Sequence, residues 1–256
     1  MDSLVLAVFV LVYVGMLLGR LPGLAVERTG VALLGAIVLL AAGRLTLAQA
    51  WSAVDVSTIS LLLGLMVVSA QLRQAGFYAR ITRRLAAREL RPGALLAAVT
   101  AVAGALSAVL ANDIVCLAMA PVLVEGCARR GFDPVPFLLA LACAANVGSA
   151  ATLIGNPQNM LIGQALDLSF SGYLLDALAP ALLGLGVVWA VIARAYRGRW
   201  ERSVALALPP VAPAPADWNA WQVAKGWLVL AGILVAFLLL PWPRDVVALA
   251  AAGILL

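Results

Sequence analysis

Apolar runs of bilayer-spanning length recur along the whole chain, most plainly at residues 3–19, 56–72, 172–193 and 223–240. A spanning helix needs about 20 residues. In lipid unsatisfied backbone groups are costly, and the expected class is an all-α polytopic membrane protein. Composition closes the alternative: 64% of the 256 residues are hydrophobic and 11% charged, where soluble domains average about 45–50% and 25%. With a mean hydropathy of +1.06, a water-soluble fold of this size could not hide so much apolar surface. A cytosolic enzyme, a secreted disulfide domain and a nucleic-acid binder are thereby excluded, and the expected medium is membrane lipid. The length allows about seven or eight spans.

There is no histidine, which removes His-ligated metals, Ser-His-Asp catalysis and His-based pH switching. Cys116, Cys127 and Cys143 lie in or beside apolar segments without metal-type spacing and read as small buried hydrophobes. No cofactor is expected. The first run lacks a basic start and a small-residue cleavage site, so it reads as a retained span.

Beyond residues 29–43, a second span, and the amphipathic loop 44–55, the Arg residues at 80, 83, 84, 88 and 91 mark an interfacial amphipathic or solvated helix. Pro92-Gly93 then opens an apolar stretch that meets Ala111-Asn112-Asp113 and continues apolar to Val124. No hydrophilic loop separates the two arms, which favours a re-entrant hairpin over 92–130. A helix starting after Pro134 is expected to break from Asn146 to Asn159 and finish by 166, giving a broken helix at 134–166. Residues 198–222, with PPVAPAP, cannot continue a helix and read as a cytoplasmic linker. Residues 223–256 hold one further span and the start of another. Alternating the sides places 15 of the 17 basic residues on one side, leaving Arg44 and Arg244 opposite. Positive loops stay cytoplasmic, so the basic side is expected inside and the N-terminus outside. Five Trp, at 51, 200, 218, 221 and 242, fall near the boundaries as an aromatic belt requires.

Four of the five asparagines, Asn112, Asn146, Asn156 and Asn159, fall within 48 residues. An unsatisfied polar group in hydrocarbon costs several kcal/mol, so this concentration in so apolar a chain needs a reason. Gly148, Gly155 and Pro157 loosen or break a helix, while Ser149 and Thr152 add hydroxyls. A broken helix offers carbonyl oxygens to a cation at one half-helix end and N–H groups to an anion at the other. Asp113 is the one acid central to an apolar stretch, and costs at least ~2.5–3.5 kcal/mol there. It reads as a cation ligand or proton carrier, or as a cap on the second hairpin arm. The bland alternative for any single Asn is a polar helix contact. Glu125, Asp55 and Asp176 sit at span ends and read as surface residues.

The stretch from Ala111 to Pro121 (ANDIVCLAMAP), followed by Phe137 to Gly163 (FLLALACAANVGSAATLIGNPQNMLIG), resembles the ion transporter superfamily of divalent-anion/sodium symporters, citrate-type permeases, arsenite permeases and related antiporters. The pattern is most similar to that of bacterial anion permeases with a citrate-transporter-like domain. The resemblance implies an inverted-repeat transporter fold in the bacterial inner (plasma) membrane. Its cytoplasm-facing hairpin and broken helix form half of an ion and substrate site. Asn112 matches the Asn of the family's Ser-Asn-Thr tip; Ala111 and Asp113 replace its two hydroxyls, which weakens the case for direct dicarboxylate binding. Residues 146–157 match the unwound segment that holds the coupling ion. Sodium is then expected at Asn112, Asn146, Ser149 and Asn156, unless the coupling ion is a proton.

Nothing in 165–256 repeats the Asn-rich pattern. Residues 1–197 therefore read as a first repeat and 223–256 as the start of a second, in a chain that is expected to be a fragment. The alternative is a half-length protein that completes its site as a homodimer. The expected function is secondary active transport of a small anionic solute by alternating access. The alternatives are a cation/proton antiporter, an arsenite-type efflux permease and, remotely, an intramembrane enzyme.

Overall fold

The computed structural model describes residues 2–19, 27–201 and 218–256. Most of the expected linker, including Arg202 and PPVAPAP, lies outside them. Described residues form helices and no strands, apart from one isolated bridge between Phe132 and Glu201. The chain is an all-α polytopic membrane protein. Two compact units divide at Asp55/Val56.

In the first unit, α1 (Ser3–Leu18) and α2 (Arg28–Ala41) pack together. Asp2 caps α1 by accepting the Leu4 N–H, and its carboxylate also pairs with Arg44 at 3.1 Å. The stretch read as an amphipathic loop contains a short helix, α3 (Leu47–Ser52). Thr46 and Gln49 exchange side-chain and backbone hydrogen bonds as a capping box.

The second unit holds α4 (Val56–Gln74), α5 (Phe77–Ala86), α6 (Pro92–Val109), α7 (Asn112–Arg129), α8 (Val135–Ser149), α9 (Pro157–Ala165), α10 (Phe170–Ala195), α11 (Ala220–Leu239) and α12 (Arg244–Leu255). Of these, α4, α6, α10 and α11 are long and apolar enough to cross a membrane. One core runs through the unit, with Leu65 and Val68 of α4, Leu96 and Val99 of α6, Val115 and Met119 of α7, and Phe137 and Leu141 of α8. By contrast α10 exposes Leu175, Leu182, Leu183, Val187 and Val191, the surface expected of a helix solvated by lipid. The last two helices, α11 and α12, pack back against α4.

Only Leu110 and Ala111 separate α6 from α7. The two form an antiparallel pair whose open ends are tied by Arg130, which donates to the carbonyls of Arg88 and Leu90. The same end of this unit gathers the residues around Ala75, Asp133, Trp200 and Asn219. Asp133 N–H donates to Trp200 O at 2.9 Å, Asn219 N–H donates to Ala75 O at 3.1 Å, and the Arg80 guanidinium lies 4.1 Å over the Trp218 ring. At the opposite end Arg244 donates to Leu168 O.

Two expectations need correction. The helix begun at Pro134 does not break at Asn146: α8 continues through Asn146, Gly148 and Ser149, and the non-helical stretch is 150–156. A proline disrupts the turn before it, where its ring meets the carbonyl four residues back. Pro157 therefore opens α9 at its first position and unwinds only the preceding turn or two. The basic segment α5 is amphipathic, but its apolar face is neither in lipid nor in water. Phe77, Tyr78, Thr82 and Leu85 are buried within the protein, where α5 lies along α7.

Candidate functional site

The break is held open by its own polar side chains. Asn156 caps α9, its Oδ1 accepting Asn159 N–H at 2.8 Å, while its Nδ2 donates to Ser149 Oγ at 3.0 Å. Ser149 Oγ in turn donates to Asn146 O at 2.8 Å. Asn159 reaches back across the gap, its Nδ2 donating to Thr152 O at 2.9 Å and Ser149 O at 3.3 Å. Thr152 donates to Ala108 O in α6, and its hydroxyl accepts Ile154 N–H. Tyr173 Oη donates to Ala150 O at 3.1 Å. Carbonyls orphaned where a helix stops would be costly in a dry interior; here Asn159, Tyr173 and Ser149 supply the donors.

The glycines do a different job from that of ligands. A Cβ on Gly155 would stand 2.2 Å from Ser149 O, and one on Gly148 would stand 2.2 Å from Gly104 O. Each lets two stretches of backbone touch. Gly155 folds the break onto the end of α8, and Gly148 brings α8 against α6.

That close packing sets the hairpin tip beside the break. Asn112, 8% exposed, donates from Nδ2 to Asn146 Oδ1 at 3.4 Å, and Asn146 anchors itself by donating to Ala142 O at 3.0 Å. A small cleft is lined by Leu62 and Met66 of α4, Ala111 to Ile114 of the tip, Gly155 to Pro157 of the break, and Met160 of α9. The N-terminal ends of α7 and α9 both border it, and the C-terminal ends of α6 and α8 lie alongside. Helix N-termini carry partial positive charge and C-termini partial negative charge. The cleft thus lies beside the partly positive ends of two helices and the partly negative ends of two others.

All ten residues singled out from the sequence therefore gather around the tip and the break, in different capacities. Asn112, Asp113 and Asn156 border the cleft, with Asp113 exposed. Asn146 is exposed beside it. Ser149, Thr152 and Asn159 use donors to fix the break, Gly148 and Gly155 provide close approach, and Pro157 starts α9. Oxygens of Asn112, Asn146 and Asn156 are the side-chain amides from which a cation could draw. Sequence reasoning missed Ser69, 1% exposed on α4, whose hydroxyl accepts Ala111 N–H at 3.1 Å and pins the tip. Nothing in the local pattern links positions 42 apart.

The sequence is also similar to those of known proteins and families. Residues 7–256 match the model of the citrate transporter family, CitMHS. The silicon efflux transporter LSI3 of Oryza sativa subsp. japonica is 37% identical over 166 residues, covering 65% of this chain and 34% of that protein. A 46 kDa membrane protein of Mycobacterium leprae is 32% identical over 218 residues, covering 79% of this chain and 49% of its own length. The putative transporter arsB of Dictyostelium discoideum is 29% identical over 162 residues, covering 63% of this chain and 29% of that protein. The chain spans half or less of the length of these relatives. With the family model matched along nearly its whole length, the chain belongs to the citrate transporter family, a family of membrane transporters rather than enzymes.

Proposed function

We propose that this chain supplies one half of a secondary active transporter for a small anionic solute, coupled to sodium or protons by alternating access. The observation that carries this is the meeting of the tip at Asn112 with the end of α8 at Asn146, beside a cleft bordered by two helix N-termini. A cation held by tip and break oxygens would add its charge to the partial positive charge of α7 and α9. That charge is needed, because the exposed Asp113 carboxylate would otherwise repel an anion entering the same cleft. Cation first and solute second is the order this electrostatics favours. The basic end of the hairpin faces the cytoplasm in this reading, in a bacterial inner membrane.

The test is solute uptake by the full-length protein in proteoliposomes under an imposed sodium gradient. The double substitution Asn112→Ala, Asn156→Ala is expected to lower sodium-driven uptake at least about tenfold while leaving membrane insertion intact. Normal uptake by that variant would remove the site assignment.

Asp113 supports a second reading, in which a proton takes the place of sodium or is exchanged for it. Asp113→Asn keeps the side chain's size and removes its charge. In inverted vesicles, loss of sodium-triggered dequenching of a pH dye in that variant would favour antiport, and retained sodium-driven uptake would favour symport.

A further inference from the structure

At the far end of the hairpin from this cleft, a cavity of about 670 Å³ opens between the C-terminal part of α5 and that of α7. It falls within the size range of small-molecule sites, about 300–1,000 Å³. Arg83 and Arg88 border it from the α5 side, Arg129 and Arg130 from the end of α7, with Glu89 and Glu125 also present. Ala86, Ala87, Val122 and Phe132 give it apolar walls. Gly126 makes the pocket possible, since a Cβ there would stand 2.5 Å from Ala86 Cβ. The floor of the cavity is thus set by the close packing of two helices, and exposed arginines form its rim.

The charge around it is not internally balanced. Arg129 pairs with Glu125 at 2.6 Å. Arg130 donates to two backbone carbonyls and lies 4.6 Å over the Phe132 ring, and among the described residues it has no carboxylate partner. Among the described residues Arg83 and Arg88 also make no ion pair. Helix C-termini attract cations, but each carries only about half a negative charge. Two helix ends and two glutamates still leave the four arginines with an excess of about one positive charge.

We infer that this cavity is a binding site for the phosphate of an anionic phospholipid headgroup, and that its occupant braces α5 against the base of the hairpin. A planar guanidinium cluster matches phosphate oxygens. A headgroup rather than a soluble phosphate is favoured by position, because the cavity lies where the apolar helices end and the basic loops gather. It is favoured also by the apolar walls, which suit the glycerol region. Basic pockets between helices on this side of a membrane take such headgroups. The inference does not rest on the transport reading.

The test uses the purified chain in detergent, with thermal melting titrated by phosphatidylglycerol or cardiolipin and by phosphatidylcholine. Anionic lipid is expected to raise the melting temperature, phosphatidylcholine is not. Arg83→Gln, Arg88→Gln should weaken the apparent lipid affinity roughly 25-fold, about fivefold for each arginine. The charge-matched control Arg194→Gln, Arg197→Gln, on exposed residues at the same end, should change it less than about twofold. Equal losses in both variants, or none in either, overturn the site. Displacement of lipid by millimolar inorganic phosphate overturns the headgroup assignment in favour of a soluble anion. Should the first variant not fold, a photoreactive phosphatidylglycerol on the unaltered chain decides the matter. Cross-links are expected within 83–91 or 122–132, and labelling confined elsewhere overturns the inference.

Discussion

At the scale of single residues, the four clustered asparagines divide into those that hold the break and those free to meet a ligand. Asn159 donates to both Ser149 O and Thr152 O. Asn159→Ala leaves those carbonyls without that donor inside the unit, at a cost of about 1–3 kcal/mol, read as a lowered melting temperature in detergent. Asn112 donates over a long 3.4 Å to Asn146 and accepts the N–H of its neighbour Asp113 at 3.0 Å, in the first turn of α7. Asn112→Ala should therefore cost about 1 kcal/mol, less than Asn159→Ala, yet abolish any stabilisation of the protein by sodium. A variant pattern with the reverse ranking would show that Asn112, not Asn159, is the structural member. The concentration of amides was legible in the sequence, because a chain this apolar has few reasons to keep them. Their division of labour was not. It depends on partners such as Ala108 and Thr152, which stand 44 positions apart and meet only when α6 lies along α8.

At the scale of elements, the hairpin and the interrupted helix were legible because prolines, glycines and asparagines punctuate otherwise continuous apolar runs. The start of the break was misplaced by four residues. Asn146 and Gly148 are poor helix formers in isolation, but packing against α6 keeps them helical until the turn that Pro157 disrupts. Gly148 is the contact that permits this packing. Gly148→Ala would place its Cβ 2.2 Å from Gly104 O and 2.4 Å from Gly104 Cα, both backbone atoms of a buried helix that cannot swing away. Overpacking of this kind costs about 1–3 kcal/mol, and by shifting α6 it should also move the tip from the break and impair uptake. Gly232→Ala in α11, where nothing lies within 4 Å of the new Cβ, is the matched control. It should be neutral or gain up to about 1 kcal/mol. The burial of α5 was illegible for another reason. Its pattern is amphipathic whether the apolar face meets lipid or protein, and only tertiary structure places α7 beneath it.

At the scale of the whole molecule, the arrangement makes a prediction about depth. The α6 arm has 18 residues, a rise of about 27 Å, slightly short of a hydrocarbon core of about 30 Å. The tip stops level with the break, held there by the contacts of Asn112 with Asn146 and of Ala108 with Thr152. Beyond that level α9 continues for nine residues, about 13 Å of rise, toward the end where Arg244 meets Leu168. A tip that stops short of the far surface should be reachable by water only through the cleft at Asn112. In a background with Cys116, Cys127 and Cys143 replaced by Ser, single cysteines report this with a membrane-impermeant thiol reagent. Arg91→Cys and Arg197→Cys should label from one side of sealed vesicles. Leu166→Cys and Trp242→Cys, exposed at the other end, should label from the opposite side. Ala111→Cys should label at least about tenfold more slowly than any of them, at a rate that changes when sodium or solute is added. A tip cysteine that labels as fast as Leu166→Cys, and from the same side, would mean that both arms cross completely. The cleft at Asn112 would then open directly to that surface, and alternating access around it would lose its structural basis.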